Sequence, residues 1–274
     1  MTEPLDSLLA EAARVATGGR PRRAEGALRV GVDLGTAYTV LLAVDETGMP
    51  VAGRAQFAQI VRDGLVVDFI GAIELVKRMK REVEADLGVT LSSAATSYPP
   101  GVPLAEVKAT RNVLIAAGLD CDDFVDEPTA ANALLGIDDG AVVDVGGGTT
   151  GIAIVENGRV VRTVDEPTGG TQFTLVLAGA LGISFETAEA IKKDPREAER
   201  VLSLTRPVME KVGSIVARHL VGSGVGEIHM VGGTSGMRGI GEVVAEATGL
   251  PVRVPPHPMF VTPLGIALTH RARR

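Results

Sequence analysis

The chain has 274 residues, 45% of them apolar, which is enough for two lobes with substantial cores. With 27 Lys and Arg against 34 Asp and Glu its formal net charge is −7, which argues against a general affinity for nucleic acid or anionic membrane surfaces. One cysteine, Cys121, excludes an intramolecular disulfide framework, the four histidines lack ligand spacing, and no apolar run reaches the roughly 18 residues of a spanning helix, so a soluble, intracellular protein is expected.

Residues 4–16 put Leu5, Leu8, Leu9, Ala12 and Val15 on one helical face, with Asp6, Glu11 and Arg14 elsewhere. Residues 17–26, rich in Gly, Pro and Arg, read as a flexible linker. A short amphipathic helix must find a surface to fold on, its own domain or another protein. The expectation is an addressing helix, residues 1–26, separate from the rest.

From residue 31 an apolar strand reaches Asp33, turns through Gly35 and Thr36, and resumes as a second apolar strand ending near Asp45. Residues 49–55 read as another strand, and residues 70–87 as a helix whose basic run, 77–81, is its solvated side. A strand near residue 95 runs into Pro99 and Pro100, and a helix over 104–117 ends at Gly118. Pro128 opens a further helix, which places the Glu127 carboxylate at a helix entrance.

The most informative stretch is residues 140–155. An aliphatic strand ends on Asp144, turns through Gly146, Gly147, Gly148 and Thr149, and returns as a second aliphatic strand. Three successive glycines leave backbone N–H groups bare enough to approach an anion, and Thr149 and Thr150 add hydroxyl donors. A carboxylate beside such a nest would repel phosphate unless a cation lay between them, so Asp144 implies Mg²⁺. The same residues spell G-x-G-x-x-G (Gly146, Gly148, Gly151), but the dinucleotide fingerprint needs a helix to follow. Here Ile152 to Val155 and the Asn157-Gly158 pair signal a hairpin instead. The Asp33 turn repeats the Asp144 turn at a separation that fits a duplicated lobe and exceeds any solenoid repeat.

Beyond it, residues 173–181 read as a helix, Ser184 as a partial cap, and Pro195 and Pro207 as brackets of further helical material that includes residues 208–220. Residues 227–240 are a strand, a turn with Gly232, Gly233 and Thr234, and a helix start. Bare backbone there would suit a base or ribose. A last strand over 252–254 and a helix over 262–269 with small residues for close packing complete the chain.

Five of these segments, residues 31–39, 126–131, 144–150, 231–236 and 263–267, resemble in order and wording the actin, sugar-kinase and heat-shock-chaperone ATPase superfamily. Within it, residues 62–69, 94–101, 126–129, 146–155, 168–170 and 215–219 are similar to the ethanolamine-utilisation protein J family. The resemblance implies an α/β fold: a two-lobe actin-like ATPase with duplicated ribonuclease-H-like lobes, residues 27–138 plus 262–274 and residues 139–261, and a nucleotide cleft between them. It implies ATP or ADP with Mg²⁺ as cofactors, Asp33 and Asp144 organising the metal, Gly35, Thr36, Ala37, Tyr38, Gly146, Gly147, Gly148 and Thr149 at the phosphates, Gly232, Gly233 and Thr234 at the adenosine, and Glu127 orienting the attacking water. This chain departs from the chaperone pattern at Gly151, where the relatives carry Asp, and at Gly236, where they place an Arg, and it offers no assignable phosphate-contacting lysine.

What the family implies about function is a chaperone-like, slow ATPase acting by lobe closure on a partner enzyme or microcompartment component of ethanolamine breakdown, in the cytoplasm or associated with a bacterial microcompartment. A non-hydrolysing scaffold or filament former is the alternative, and a small-molecule kinase ranks last. No nucleic-acid or membrane partner is expected, and actin-like relatives allow a homo-oligomer.

Overall fold

The computed structural model describes residues 3–62, 65–100 and 104–271. The chain forms two compact units, Met1–Ile137 with Met259–Arg274, and Asp138–Pro258. Chain order in the first is α1 (Glu3–Ala16), β1 (Arg29–Leu34), β2 (Tyr38–Val44), β3 (Pro50–Phe57), a short hairpin of β4 (Val61–Arg62) and β5 (Leu65–Val66), α2 (Phe69–Leu87), β6 (Ala95–Tyr98), α3 (Leu104–Ala116), β7 (Phe124–Asp126) and α4 (Glu127–Leu135). Its five-stranded sheet runs β3-β2-β1-β6-β7, antiparallel through β3, β2 and β1, then parallel through β6 and β7. Asp63, Gly64 and Gly101, which belong to expected turns, and residues 272–274 lie outside the described residues.

The second unit repeats this plan. β8 (Gly140–Val145), β9 (Thr150–Glu156) and β10 (Arg159–Glu166) are followed by α5 (Gly170–Leu181), α6 (Phe185–Lys193) and α7 (Ala198–Leu220), then β11 (Ile228–Val231), α8 (Ile240–Thr248) and β12 (Val252–Arg253). The sheet order, β10-β9-β8-β11-β12, has the same sequence of neighbours and directions as the first. Asn157 and Gly158 both take positive φ, 50° and 72°, and form the two-residue turn that their sequence signals. α9 (Val261–Thr269) returns to the first unit, where it packs so closely on α4 that a Cβ at Gly265 would stand 1.9 Å from the Ala130 carbonyl oxygen.

Each sheet buries one aliphatic face under helices. In the first unit Val32, Leu41 and Ala43 meet Val76, Met79 and Val83 of α2 and Val113 and Leu114 of α3. In the second, Val143, Val145, Ile152 and Ile154 meet Phe173, Met209, Val212, Val216 and Val244. Burying each of these side chains contributes about 1.5–3 kcal/mol.

Two expectations need correction. The N-terminal segment is not a detached helix on a loose linker: α1 lies on β3 and β2, with Leu9 and Ala12 fully buried and Val15 nearly so. Residues beyond it are tied to the same sheet, Arg22 N–H donating to Val51 O (2.8 Å) and Glu46 N–H to Glu25 O (3.1 Å). An apolar face about three turns long cannot remain in water, and the chain's own sheet satisfies it.

Pro207, expected to bracket helical material, sits inside the 23-residue α7. Proline in a helix interior costs about 3 kcal/mol. The buried row Val201, Thr205, Val208, Met209, Val212, Ile215, Val216 and Leu220 runs through it and offsets that cost.

Candidate functional site

In the first unit Asp33 is the last but one residue of β1, half-buried, opposite Val40. The turn that follows is closed by Gly35 N–H donating to Tyr38 O (3.0 Å), with Thr36 and Ala37 at its tip. Ala58 N–H donates to Ala37 O (3.0 Å), and the Tyr38 ring meets Phe57 edge-on at 5.6 Å, so the segment after β3 steadies this hairpin. Glu127 opens α4, whose N-cap is Asp126, its carboxylate accepting from Thr129 N–H (3.0 Å). Tyr98, at the same end of the sheet, pairs in register with Asp126. Burial first, then the Asp126 charge, raises its phenol above the usual range.

The second unit's hairpin is built the same way and braced more heavily. Gly146 N–H donates to Thr149 O (3.0 Å), the counterpart of the Gly35 bond. The loop after β10 then takes up the turn's carbonyls: Gly170 N–H donates to Gly146 O (2.9 Å), Thr171 N–H to Gly147 O (2.8 Å), and the Thr171 hydroxyl to that same oxygen (2.9 Å). From another side, the Thr234 hydroxyl donates to Gly146 O (2.8 Å), and the Thr150 hydroxyl fixes the loop through Thr168 O (2.6 Å). The N–H groups of Gly147 and Gly148 have no acceptor among the described residues. The turn is therefore held by its carbonyls with amide donors left over, the polarity an anion requires.

Gly232 and Thr234 converge on this hairpin. Gly232 holds φ 88°, and a Cβ there would fall 2.2 Å from Asp144 Oδ1, so its backbone lies directly against that carboxylate. Gly233 begins the short turn that carries Thr234. Asp144, Gly146 to Thr149 and Gly232 to Thr234 are thus one cluster within the second unit, as Asp33, Gly35 to Tyr38 and the α4 entrance belong to the first.

Sequence reasoning missed a half-buried pair beside this cluster. Lys192 Nζ is 2.6 Å from Glu189, 3.0 Å from Gly170 O and 2.7 Å from the Thr174 hydroxyl. Burial pushes the Lys192 ammonium below its ordinary range, against the raising effect of Glu189. Burial also opposes ionisation of Glu189, but the hydrogen bonds of Lys192 and Thr174 hold its carboxyl below the usual value. The i,i+3 spacing was visible, yet such a spacing ordinarily marks a solvated surface pair. Among the described residues no group of three or more His, Cys, Asp or Glu could hold a metal by itself, and no single helix is long and apolar enough to cross a membrane.

Two α/β units of one topology, each with an aspartate last but one in the strand that leads into a Gly/Thr hairpin, define a protein of the actin-like two-lobe fold. Family models for the MreB/Mbl protein and the cell division protein FtsA match residues 42–194 and 141–265. MreB5 of Spiroplasma citri bound to AMPPNP superposes with a TM-score of 0.69 at 17% identity, covering 89% of this chain and 96% of that one, which speaks for the fold alone. The chain belongs to the ethanolamine utilization protein EutJ family. It is 43% identical to EutJ of Escherichia coli K12 over 92% of this chain and 90% of that protein. The crystal structure of EutJ from Carboxydothermus hydrogenoformans superposes with a TM-score of 0.94 at 45% identity, over 98% of this chain and 99% of the other.

Proposed function

We propose that this protein binds MgATP through both hairpins and is a chaperone-like, slow ATPase of ethanolamine utilisation, whose nucleotide-driven lobe closure acts on a partner enzyme or microcompartment component in the cytoplasm. The observation that carries the reading is the second hairpin, whose carbonyls are engaged by neighbouring loops while the Gly147 and Gly148 amides have no acceptor among the described residues. A phosphate seated there would accept those N–H bonds, and the Thr149 hydroxyl could add another.

The donor set fits a magnesium-bound polyphosphate. Asp33 and Asp144, each one residue short of its turn, are hard oxygen donors suited to hold the waters of Mg²⁺. When bound, that ion neutralises charge on the β- and γ-phosphates. Gly35, Thr36, Ala37 and Tyr38 offer the first lobe's backbone and hydroxyl donors, and the turn of Gly232, Gly233 and Thr234 would lie under the adenosine, with Gly233 its exposed residue. Glu127, fixed at the start of α4, would orient the attacking water and take its proton as water oxygen bonds the γ-phosphorus and ADP leaves.

Glu127→Gln tests the catalytic half of this reading. Nucleotide binding survives and hydrolysis falls by about 10²-fold, the size of a lost general base. Equal turnover in both forms would remove Glu127 from the mechanism. Undetectable turnover in both, with binding intact, would favour a non-hydrolysing scaffold. Stimulation of turnover by an ethanolamine-degrading lyase would identify the client class.

A further inference from the structure

The duplicated lobes allow one rung of each sheet to be compared with its counterpart. In the first, Asp33 faces Val40 and Val40 faces Ala55. In the second, the equivalent rung reads Asp144, Gly151, Asp165. Residues directly opposed on antiparallel strands point to the same face. Two carboxylates therefore stand on one face, flanking a position with no side chain, and that face is opposite to the one where Val143, Val145 and Ile152 join the apolar cluster.

The bare centre of the rung is occupied from its sides. A Cβ built at Gly151 would lie 3.8 Å from Asp165 Oδ1 and 3.9 Å from Asp144 Cβ, so an Asp165 carboxylate oxygen borders the open position above the glycine on one side and Asp144 borders it on the other. Asp144 is meanwhile packed against the Gly232 backbone. The rung adjoins the hairpin read as the phosphate seat, where a divalent cation would attract both carboxylates.

We propose that Asp165 is a positioning residue of the nucleotide site: reaching across Gly151, it joins Asp144 in holding the water shell of the divalent cation that accompanies the phosphates. The proposal rests on the nucleotide reading above. It also gives Gly151 a reason, since a side chain longer than a methyl there would stand between the two aspartates.

The test uses the full chain, a fluorescent ATP analogue, and titration with Mg²⁺ from an EDTA baseline. In the wild type, Mg²⁺ tightens nucleotide binding. Asp165→Asn raises the half-saturating Mg²⁺ concentration by about tenfold or more, the range seen when outer-shell partners of a metal are lost. Gly151→Asp alone crowds three carboxylates and weakens binding, whereas Gly151→Asp with Asp165→Gly, which delivers the carboxylate from the middle strand, restores the Mg²⁺ effect. Wild-type Mg²⁺ dependence in folded Asp165→Asn overturns the proposal. If that variant does not fold, the double variant decides, and absence of a Mg²⁺ effect there refutes it. A wild type that binds no analogue, with or without Mg²⁺, overturns the nucleotide reading itself and this inference with it.

Discussion

Gly169 offers a clean way to displace the second hairpin without straining its own backbone. Its φ of −155° and ψ of −163° are extended values that any residue adopts, so Gly169→Ala acts only through its added methyl. That carbon would lie 2.7 Å from Gly148 C and from Thr149 N, and 2.9 Å from Gly146 O, all backbone atoms that cannot swing aside. Ordinary contact requires the turn to retreat by roughly 0.7 Å, which strains the bonds from Gly170 N–H, Thr171 N–H and Thr234 to the turn's carbonyls.

Overpacking of this kind costs about 1–3 kcal/mol, and about 2 kcal/mol corresponds to a fall of roughly 4–8 °C in Tm. Losing two or three well-aimed amide donors to a phosphate costs about 3 kcal/mol, or roughly 100-fold in Kd. Calorimetry with ATP and a thermal melt on the same sample measure both. Gly179→Ala is the control, because its methyl would meet nothing within 4 Å. If Gly169→Ala loses stability yet binds ATP with wild-type affinity, the turn is not the phosphate seat.

Leu9→Ala removes the fully buried anchor of α1 and should cost about 2–5 kcal/mol, read by denaturant unfolding; a change below 0.5 kcal/mol would mean the helix contributes nothing to the lobe. Asp45 is buried, which raises a carboxyl pKa, but the Thr47 hydroxyl and the N–H groups of Met49, Glu25 and Thr47 more than offset this and hold it low. Its folded pKa being the lower, it adds stability above the ordinary value of about 3.9 that is lost as pH falls through the folded value, so Asp45→Asn should flatten the acid limb of the stability–pH curve, and an unchanged limb would contradict the assignment. Burial pushes the Cys121 thiol up to about 11, so a thiol reagent at pH 8 should modify the native protein far more slowly than the unfolded chain; equal rates would contradict its burial.

The hairpins were legible because their signals are local. Asp33 and Asp144 each end an aliphatic run before Gly and Thr, and Asn157-Gly158 demands its turn. The seat of α1 was not legible, since an amphipathic face looks the same whichever surface buries it. Nor was the passage of α7 through Pro207, a contest between one local penalty and a buried row that only tertiary packing reveals. Glu189 and Lys192 escaped notice because their spacing says nothing of the Gly170 carbonyl that Lys192 meets. The Asp165 carboxylate became visible only once register placed it beside Gly151.

The two sheets also differ in how their outermost strands are guarded. β10 carries Arg159 and Arg162, both exposed, around an irregularity in its register, features that discourage another strand from adding to it. β3 relies instead on the start of its own chain, with α1 against it and Arg22 N–H taking the Val51 carbonyl. A nick or truncation between α1 and β1 would uncover a ready template for strand addition on one lobe only. Self-association after proteolysis should accordingly begin at β3, leaving the β10 margin unpaired.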